Sequence, residues 1–108
     1  MNLSRILPLT ETTFYILLAL RKAGHGYAIM QEVEQLSEGK VRIAAGTMYG
    51  ALENLTKQKL IVSVPSDDPR RKMYQISEAG REILALEIAR LKHLIDVYQH
   101  IESGENIR

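Results

Sequence analysis

The sequence contains no cysteine, no tryptophan and only one phenylalanine. The lack of cysteine excludes disulfide bonds, a thiol nucleophile and a thiolate metal site. Long apolar runs are also missing: the longest, residues 14–20, has seven residues, whereas a membrane-spanning helix needs about 20. Residues 1–8 lack the apolar core and the small-residue cleavage site of a secretion signal. We therefore expect a cytoplasmic protein that does not contact a membrane.

The net charge is small, +1 over 108 residues, and a chain of this length forms one domain by default. The charge is unevenly distributed, however, because residues 40–76 carry seven basic and three acidic side chains, a local net charge of +4. The basic ones are Lys40, Arg42, Lys57, Lys59, Arg70, Arg71 and Lys72. Such a block indicates a polyanionic partner, although a solvated surface of mixed charge explains it equally well.

Two helices are predicted in the first part of the chain. Thr10 is a suitable N-cap and Glu11 suits a first turn, so the first helix begins there and runs, apolar on most sides, to a stop at Gly24. The second helix begins at residue 26 and ends at Gly39, with Tyr27 on its inner face. A first helix that is apolar on most sides is buried on most sides, which favours contact with a second chain.

A third helix is predicted over residues 46–59. Met48, Leu52 and Leu55 repeat at helical spacing and form one apolar face. Small, polar and basic residues lie off that face: Thr47, Gly50, Asn54, Lys57 and Gln58. This helix therefore packs on a core and presents its other face to water or to a partner.

A short hairpin follows the third helix. Residues 60–64 are rich in β-branched side chains, residues 72–76 alternate in polarity, and residues 66–69 form a turn cluster between them. We predict an antiparallel pair of strands with a charged tip at residues 67–72. A two-stranded hairpin is marginal alone, so it must pack on the helices.

The last helix is predicted to begin after its N-cap, Ser77, and to continue to about Ile101. Five of its apolar residues fall at the 4-3-4-3 spacing of a coiled-coil seam: Leu84, Ile88, Leu91, Ile95 and Tyr98. This seam predicts dimerisation through the last helix, and packing along its own domain is the alternative.

The order of these elements predicts a mainly α protein with a small β-hairpin. We assign residues 1–76 to a winged helix-turn-helix DNA-binding domain and residues 77–108 to a long C-terminal dimerisation helix and tail. The third helix would enter the major groove, and the hairpin, as the wing, would reach neighbouring phosphates. The candidate DNA-binding residues are Tyr27, Thr47, Tyr49, Gly50, Asn54, Lys57, Arg70, Arg71 and Lys72. For the tyrosines the alternative is a place in the core, and for the others it is helix capping or solvation.

Five short segments, in this order, resemble the PadR-type transcriptional regulators. They are Gly26-Tyr27-Ala28-Ile29, Gly46-Thr47-Met48-Tyr49-Gly50-Ala51-Leu52, Leu60-Ile61, Arg71-Lys72-Met73-Tyr74 and Ser77-Glu78-Ala79-Gly80-Arg81. The resemblance covers residues 9–101. Three positions differ from the family pattern: Met48 stands where leucine is usual, Ser77 where threonine is usual, and Gly50 where proline is frequent.

The resemblance implies more than the residue patterns do. The short members of this family, which have a single C-terminal helix, are homodimers and act mainly as repressors of double-stranded DNA operators. It also implies release by a small molecule that binds an apolar site between the first and last helices. The matching candidate effector-binding residues in this chain are Phe14, Tyr15, Leu18, Leu91, Leu94 and Tyr98.

Catalytic and metal-binding patterns are missing from the sequence. His93 and His100 lie about two helical turns apart, too far to share an ion, and His25 is remote from both. No glycine-rich phosphate loop and no Gly-x-Ser-x-Gly segment is present. We therefore expect no enzyme activity, no metal and no cofactor. The alternative to a DNA-binding regulator is a dimeric winged-helix protein-interaction adaptor without DNA binding, which would use the acidic faces of the second and last helices.

Overall fold

The computed structural model describes residues 3–104, so Met1, Asn2 and residues 105–108 of the predicted tail lie outside the described part. In chain order the elements are a 3₁₀ helix at Leu3–Ile6, α1 at Glu11–Ala19, β1 at Gly24–His25, α2 at Gly26–Leu36, α3 at Ala45–Lys57, β2 at Ile61–Val64, β3 at Met73–Ile76 and α4 at Glu78–Glu102. The mainly α winged-helix class is confirmed. None of the helices within residues 3–104 is both long and apolar enough to cross a membrane.

Two predicted helix caps are present. Thr10 Oγ1 accepts a hydrogen bond from the backbone N–H of Thr13 at 3.1 Å, and Ser77 Oγ accepts one from that of Gly80 at 3.0 Å. Each bond satisfies one of the N–H groups that a helix start leaves without a partner. The Ser77 hydroxyl also donates to the Lys59 carbonyl at 2.7 Å, which ties the start of α4 to the loop before β2.

Helix α1 is shorter than predicted, since it ends at Ala19 and not at Gly24. The carbonyl of Leu20 accepts a hydrogen bond from the Ile76 N–H at 2.8 Å, and Gly24 pairs with Tyr74 in the sheet. The chain after Leu20 is therefore held by β3. Helical spacing along the sequence does not reveal that long-range contact.

The wing belongs to a three-stranded sheet, so the predicted two-stranded hairpin is incomplete. The strand order is β1-β3-β2, and both pairs are antiparallel. In the β2–β3 hairpin Ile61 lies opposite Ile76 and Val64 lies opposite Met73. β1 adds only two residues at the other edge of β3, too few to show a period-two pattern in the sequence.

One apolar core joins the helices and the sheet. Its fully buried side chains come from all four helices, from β2 and from the adjoining loops: Ile16, Leu17, Leu20, Ile29, Val33, Met48, Leu52, Leu60, Ile61 and Ile83. The apolar face predicted for α3 is confirmed. Only the first part of α4 joins the core, because no side chain of α4 beyond Glu87 is buried. The division of the chain at residue 76 stays a prediction.

Helix α2 turns inward the part of its predicted face that contains Ile29 and Val33, but not the part that contains Tyr27. Ile29 and Val33 are buried, but Tyr27 exposes 64% of its surface and Leu36 is also exposed. Successive residues of a helix are about 100° apart, so Tyr27 points away from the core once Ile29 and Val33 face it. The assignment of Tyr27 to the inner face is therefore wrong.

Gly80 allows the start of α4 to lie directly on the start of β2. A Cβ atom at Gly80 would overlap the carbonyl oxygen of Leu60 and the side chain of Ile76. The Ser77 N–H also donates to the Leu60 carbonyl at 3.0 Å. This close contact fixes where α4 leaves the core.

Candidate nucleic-acid interface

The outer face of α3 consists of small and polar residues. With its apolar face in the core, the helix turns Gly46, Gly50 and Lys57 outward. A Cβ atom added to either glycine would meet no atom within 4 Å, so a ligand can approach the backbone there. The N-cap residue, Ala44, makes no side-chain hydrogen bond to the first turn, which leaves N–H groups of that turn to an external acceptor. These features suit a helix that lies against an anionic ligand.

Helix α3 and the wing enclose an open cleft of about 700 Å³, the α3–wing cleft. Six of the predicted DNA-binding residues line it: Tyr27, Tyr49, Lys57, Arg70, Arg71 and Lys72. The rest of the lining was not predicted: His25, Gly26, Glu53, Thr56, Ser63 and Tyr74. The cleft therefore carries four basic side chains against one carboxylate, which makes its potential positive.

The other three predicted residues lie elsewhere on α3. Thr47 and Gly50 are exposed outside the cleft. Asn54 lines a separate depression of about 160 Å³ together with Thr10 and Gln58. The structure thus places Asn54 on the side of α3 away from the wing, and the base contacts proposed for these three residues stay predictions.

Two exposed tyrosines stand in the α3–wing cleft. A Cβ atom on Gly26 would lie 3.0 Å from Cε1 and from Oη of Tyr49, so a glycine at this position makes room for the ring. Tyr27 Oη accepts a hydrogen bond from Gln31 Nε2 at 3.3 Å. Tyr27 and Tyr49 expose 64% and 58% of their surfaces, and both are therefore accessible to a ligand in the cleft.

Asp68 organises the tip of the wing. Its Oδ1 atom accepts a hydrogen bond from the Arg70 N–H at 2.9 Å, and its own N–H donates to Ser66 Oγ at 3.2 Å. Its carboxylate also lies 3.6 Å from Arg70 Nε and 3.9 Å from Arg71 Nε. Ion pairs between exposed side chains are worth at most about 1 kcal/mol, so a phosphate can take the place of Asp68. The sequence pattern predicted a turn and a charged tip here, but not these contacts of Asp68.

His25 connects α2 with the wing. Its Nδ1 atom accepts a hydrogen bond from the Ala28 N–H at 3.4 Å and so caps α2. Its Nε2 atom lies 3.3 Å from Arg71 Nη1. The sequence drew attention to His25 only as a possible metal ligand and rejected that role. The sequence could not reveal the contact between His25 and Arg71, because the two residues are 46 positions apart.

Among residues 3–104, Glu53 is the only carboxylate that lines the α3–wing cleft. It lies 3.4 Å from Lys57 Nζ, one helical turn further along α3, and both side chains are exposed. A carboxylate repels DNA phosphates and accepts hydrogen bonds from the amino group of cytosine. A carboxylate at this place would oppose a polyanionic ligand in the cleft and would offer one hydrogen-bond acceptor.

A second cleft, of about 310 Å³, lies between α1 and α4 and is called the α1–α4 cleft. Three of the six candidate effector-binding residues line it, Phe14, Tyr15 and Leu91. The rings of Phe14 and Tyr15 meet edge to face, with centroids 5.9 Å apart. Leu18 lines a different depression, and Leu94 and Tyr98 are exposed further along α4. The structure of a single chain does not bring the six together.

Glu87 lies at the α1–α4 cleft, and the sequence did not predict it as a site residue. Its side chain is buried, with the residue 2% exposed, although an amphipathic helix would place an acid at the surface. Its Oε2 atom accepts a hydrogen bond from the Leu9 N–H at 2.8 Å, and Arg90 donates to both carboxylate oxygens. The hydrogen bond from Arg90, opposed by burial, lowers the pKa of Glu87. Glu87 thus binds the segment before α1 to α4.

The residues predicted for dimerisation fall into two groups. Leu84 is buried in the core of its own chain. The other four, Ile88, Leu91, Ile95 and Tyr98, are exposed along the outer part of α4. No group of three or more histidine, aspartate or glutamate side chains within residues 3–104 is arranged to hold a metal ion.

The chain is similar to known proteins over a region that includes all the residues of the α3–wing cleft. The model of the transcriptional regulator PadR-like family matches residues 16–86. An uncharacterized protein of Lysinibacillus sphaericus is 31% identical over 87 residues, which cover 75% of this chain and 80% of that protein. A PadR-like transcription factor from Bacteroides fragilis has a similar structure, with a TM-score of 0.69 and 26% identity over 83% of this chain and 88% of that one.

A more distant structure shows the same fold. It is BpsR of Bordetella bronchiseptica, whose DNA binding is regulated by 6-hydroxynicotinic acid; the TM-score is 0.64 and the identity 21%, over 82% of this chain and 64% of that one. The family match includes every residue that lines the α3–wing cleft. The chain therefore belongs to the PadR-like family of transcriptional regulators.

Proposed function

We propose that this regulator is a non-catalytic, cytoplasmic homodimer that binds operator DNA and represses transcription until a small molecule releases it. The observation that carries the proposal is the α3–wing cleft, where Arg70, Arg71 and Lys72 stand beside the exposed face of α3. An α-helix fits the major groove, and the wing cations neutralise phosphates next to it. Thr47 and Asn54, which lie on α3 outside the cleft, would contact base edges.

The exposed apolar side chains of α4 support a dimer. Those that lie along one side of the helix are Ile88, Leu91, Leu94, Ile95, Tyr98 and Ile101. A contiguous apolar surface of this kind marks an interaction site, and the 4-3 spacing suits a second helix. A two-fold dimer would present two copies of α3 to successive major grooves, about one helical turn of DNA apart, in a pseudo-palindromic operator.

The dimer is tested by Ile95→Asp. A charge at this exposed seam position would prevent helix pairing without disturbing the core, so we expect a monomer in light scattering and loss of DNA binding. His93→Asp is the matched control, because His93 lies on the opposite side of α4 and is exposed. A variant Ile95→Asp that remains dimeric would contradict the proposed seam.

DNA binding is tested by gel shift with the DNA upstream of the protein's own gene. If four to six phosphates are neutralised per dimer, the plot of log K against log salt has a slope of about −4 to −5. A slope near zero rules out the phosphate contacts. An intact dimer that binds no DNA in this assay would favour the adaptor function over the regulator function.

The α1–α4 cleft is the proposed effector site. Phe14, Tyr15 and Leu91 provide apolar surface, and Glu87 with Arg90 provides a polar end. A dimer would enlarge the site, since the exposed Leu94 and Tyr98 lie on the same helix. The precedent of BpsR, regulated by 6-hydroxynicotinic acid, supports screening small aromatic acids for release of bound DNA. A compound that binds the protein and leaves DNA affinity unchanged is not an effector.

A further inference from the structure

The two exposed tyrosines of the α3–wing cleft are held in different ways. Tyr27 Oη accepts a hydrogen bond from Gln31 Nε2 at 3.3 Å, one turn further along α2. The hydroxyl group of Tyr49 has no hydrogen-bond partner among residues 3–104, and its ring lies instead against Gly26, the first residue of α2. The Tyr49 hydroxyl is therefore free to bond a ligand, while its ring rests on the neighbouring helix.

The backbone of Gly26 does not require a glycine. Gly39 and Gly104 have positive φ angles, the conformation that favours glycine, and Gly26 does not. Alanine also has a higher helix propensity than glycine. The reason lies in the space beside Gly26, because a Cβ atom there would lie 3.0 Å from Cε1 and Oη of Tyr49 and 3.1 Å from Cζ. Carbon atoms in ordinary contact are about 3.5 to 4.0 Å apart, so the ring occupies the place of the missing side chain.

This close contact is specific to one glycine of the helix-turn-helix region. A Cβ atom at Gly24 would lie 3.8 Å from Ile29 Cγ1, an ordinary contact, and one at Gly46 or Gly50 would meet no atom within 4 Å. Among the glycines of residues 3–104, Gly26 alone lies against a side chain of the α3–wing cleft. The contact therefore links the start of α2 to the outer face of α3 at the cleft itself.

The contact restricts a side chain that would otherwise be mobile. Tyr49 exposes 58% of its surface, and exposed side chains exchange between rotamers within nanoseconds. The start of α2 blocks part of this movement, which keeps the Tyr49 hydroxyl in the cleft that the wing cations also line. A side chain that is ordered beforehand loses less entropy when a ligand binds.

We propose that Gly26 is a positioning residue for DNA binding, which holds the Tyr49 hydroxyl where it donates a hydrogen bond to a DNA phosphate. The proposal rests on the proposed DNA-binding function. An O–H···O hydrogen bond is effective over about 2.5 to 3.0 Å, so a shift of the ring by a few tenths of an ångström weakens it. Phosphate contacts set the register of a protein on the duplex without reading its sequence, so random-sequence DNA is a sufficient probe.

The test is a double-mutant cycle between Gly26→Ala and Tyr49→Phe, with affinity measured by fluorescence anisotropy at constant salt. The probe is a random-sequence duplex of about 30 base pairs, long enough for two half-sites one turn apart. Tyr49→Phe should lower affinity about tenfold per protomer, the effect of one hydrogen bond to a charged group. Gly26→Ala, which displaces the ring, should lower it about threefold to tenfold per protomer. The double variant should bind as Tyr49→Phe does, because no hydroxyl is left to misplace.

Gly24→Ala is the matched control, since it adds the same methyl group two residues earlier, outside the cleft and without a close contact. It should bind DNA as the wild type does. Unchanged affinity for Gly26→Ala would overturn the proposal. So would an equal loss from Gly26→Ala in the wild type and in Tyr49→Phe, because the effect would not pass through the hydroxyl. If the wild type does not bind the duplex, the DNA-binding function fails, and the role of Gly26 with it.

A measurement on the wild type does not depend on folding of a variant. Nuclear Overhauser effects between the Gly26 α protons and the Tyr49 ring protons report the contact directly, and the chain has only seven glycines and five tyrosines to assign. We expect these signals in the free protein and in its complex with the duplex, since the ring keeps its place. Their loss in the complex would mean that Tyr49 leaves Gly26 when DNA binds, which contradicts a positioning role.

Discussion

The α3–wing cleft and the α1–α4 cleft hold carboxylate–cation pairs in opposite ways. Glu53 in the first cleft, and Asp68 at the tip of the wing beside it, lie 3.4 to 3.9 Å from exposed basic side chains. In the second, Glu87 is buried and accepts hydrogen bonds from Arg90 and from the Leu9 N–H. Exposed pairs are worth at most about 1 kcal/mol, so they can exchange for phosphate. Removal of a buried partner leaves polar groups unsatisfied, so Glu87 is structural.

The largest expected effect comes from the wing. The double variant Arg70→Ala/Arg71→Ala removes four cations from a dimer, so we expect DNA affinity at low salt to fall by about 10² to 10³ and the salt slope to flatten. Thermal stability should hardly change, because both side chains are exposed and weakly paired. Arg81→Ala, an exposed arginine of α4 outside the cleft, is the control. Equal losses for both variants would show only a general charge effect.

The second-largest expected effect is a loss of folding stability when Glu87 of the α1–α4 cleft is replaced. Glu87→Ala leaves the Leu9 N–H without its acceptor, and we expect the free energy of unfolding to fall by about 1 to 3 kcal/mol. Urea denaturation measures this change. Glu82→Ala, which removes an exposed glutamate from the same helix, should stay within about 0.5 kcal/mol of the wild type. A similarly small change for Glu87→Ala would mean that its hydrogen bonds contribute little to the fold.

The pH dependence of stability separates Glu87 from the exposed carboxylates. The hydrogen bond from Arg90 lowers the pKa of Glu87 below its value in the unfolded chain, which is about 4.3. Its contribution is therefore complete above that value and is lost as pH falls through the folded-state pKa. We expect the stability difference between the wild type and Glu87→Gln to be constant near neutral pH and to shrink below about pH 4. If the stability difference between the two proteins grew as the pH fell, the result would contradict a lowered pKa of Glu87 in the folded protein.

The sequence predicted best those features that depend on neighbours along the chain. The caps at Thr10 and Ser77 follow from hydrogen bonds to residues three positions away, and the inner face of α3 follows from helical spacing. The order of the elements and the winged-helix class followed from such local rules. The basic wing residues were proposed on charge, and the structure places them together in one cleft.

The features that the sequence missed depend on residues far apart in the chain. Leu9 and Glu87 are 78 positions apart, and His25 and Arg71 are 46 apart. The residues next to Glu87 and His25 in the sequence give no indication that these contacts form. β1 and the early end of α1 were missed for the same reason, since both follow from pairing with β3.

The smallest expected effect tests whether the single carboxylate of the α3–wing cleft opposes DNA. Glu53→Gln removes a negative charge and frees Lys57, so affinity for random-sequence DNA at low salt should rise about twofold to fivefold, within the range of an exposed pair. The gain should shrink as salt rises, because screening weakens the repulsion between Glu53 and phosphate. Glu34→Gln is the matched control, since Glu34 is an exposed acid that pairs with Arg42 at 2.8 Å outside the cleft. A gain that occurs equally in both variants would reflect net charge alone. If Glu53 also accepts a hydrogen bond from a cytosine amino group, the same variant should lose preference for the operator over random DNA.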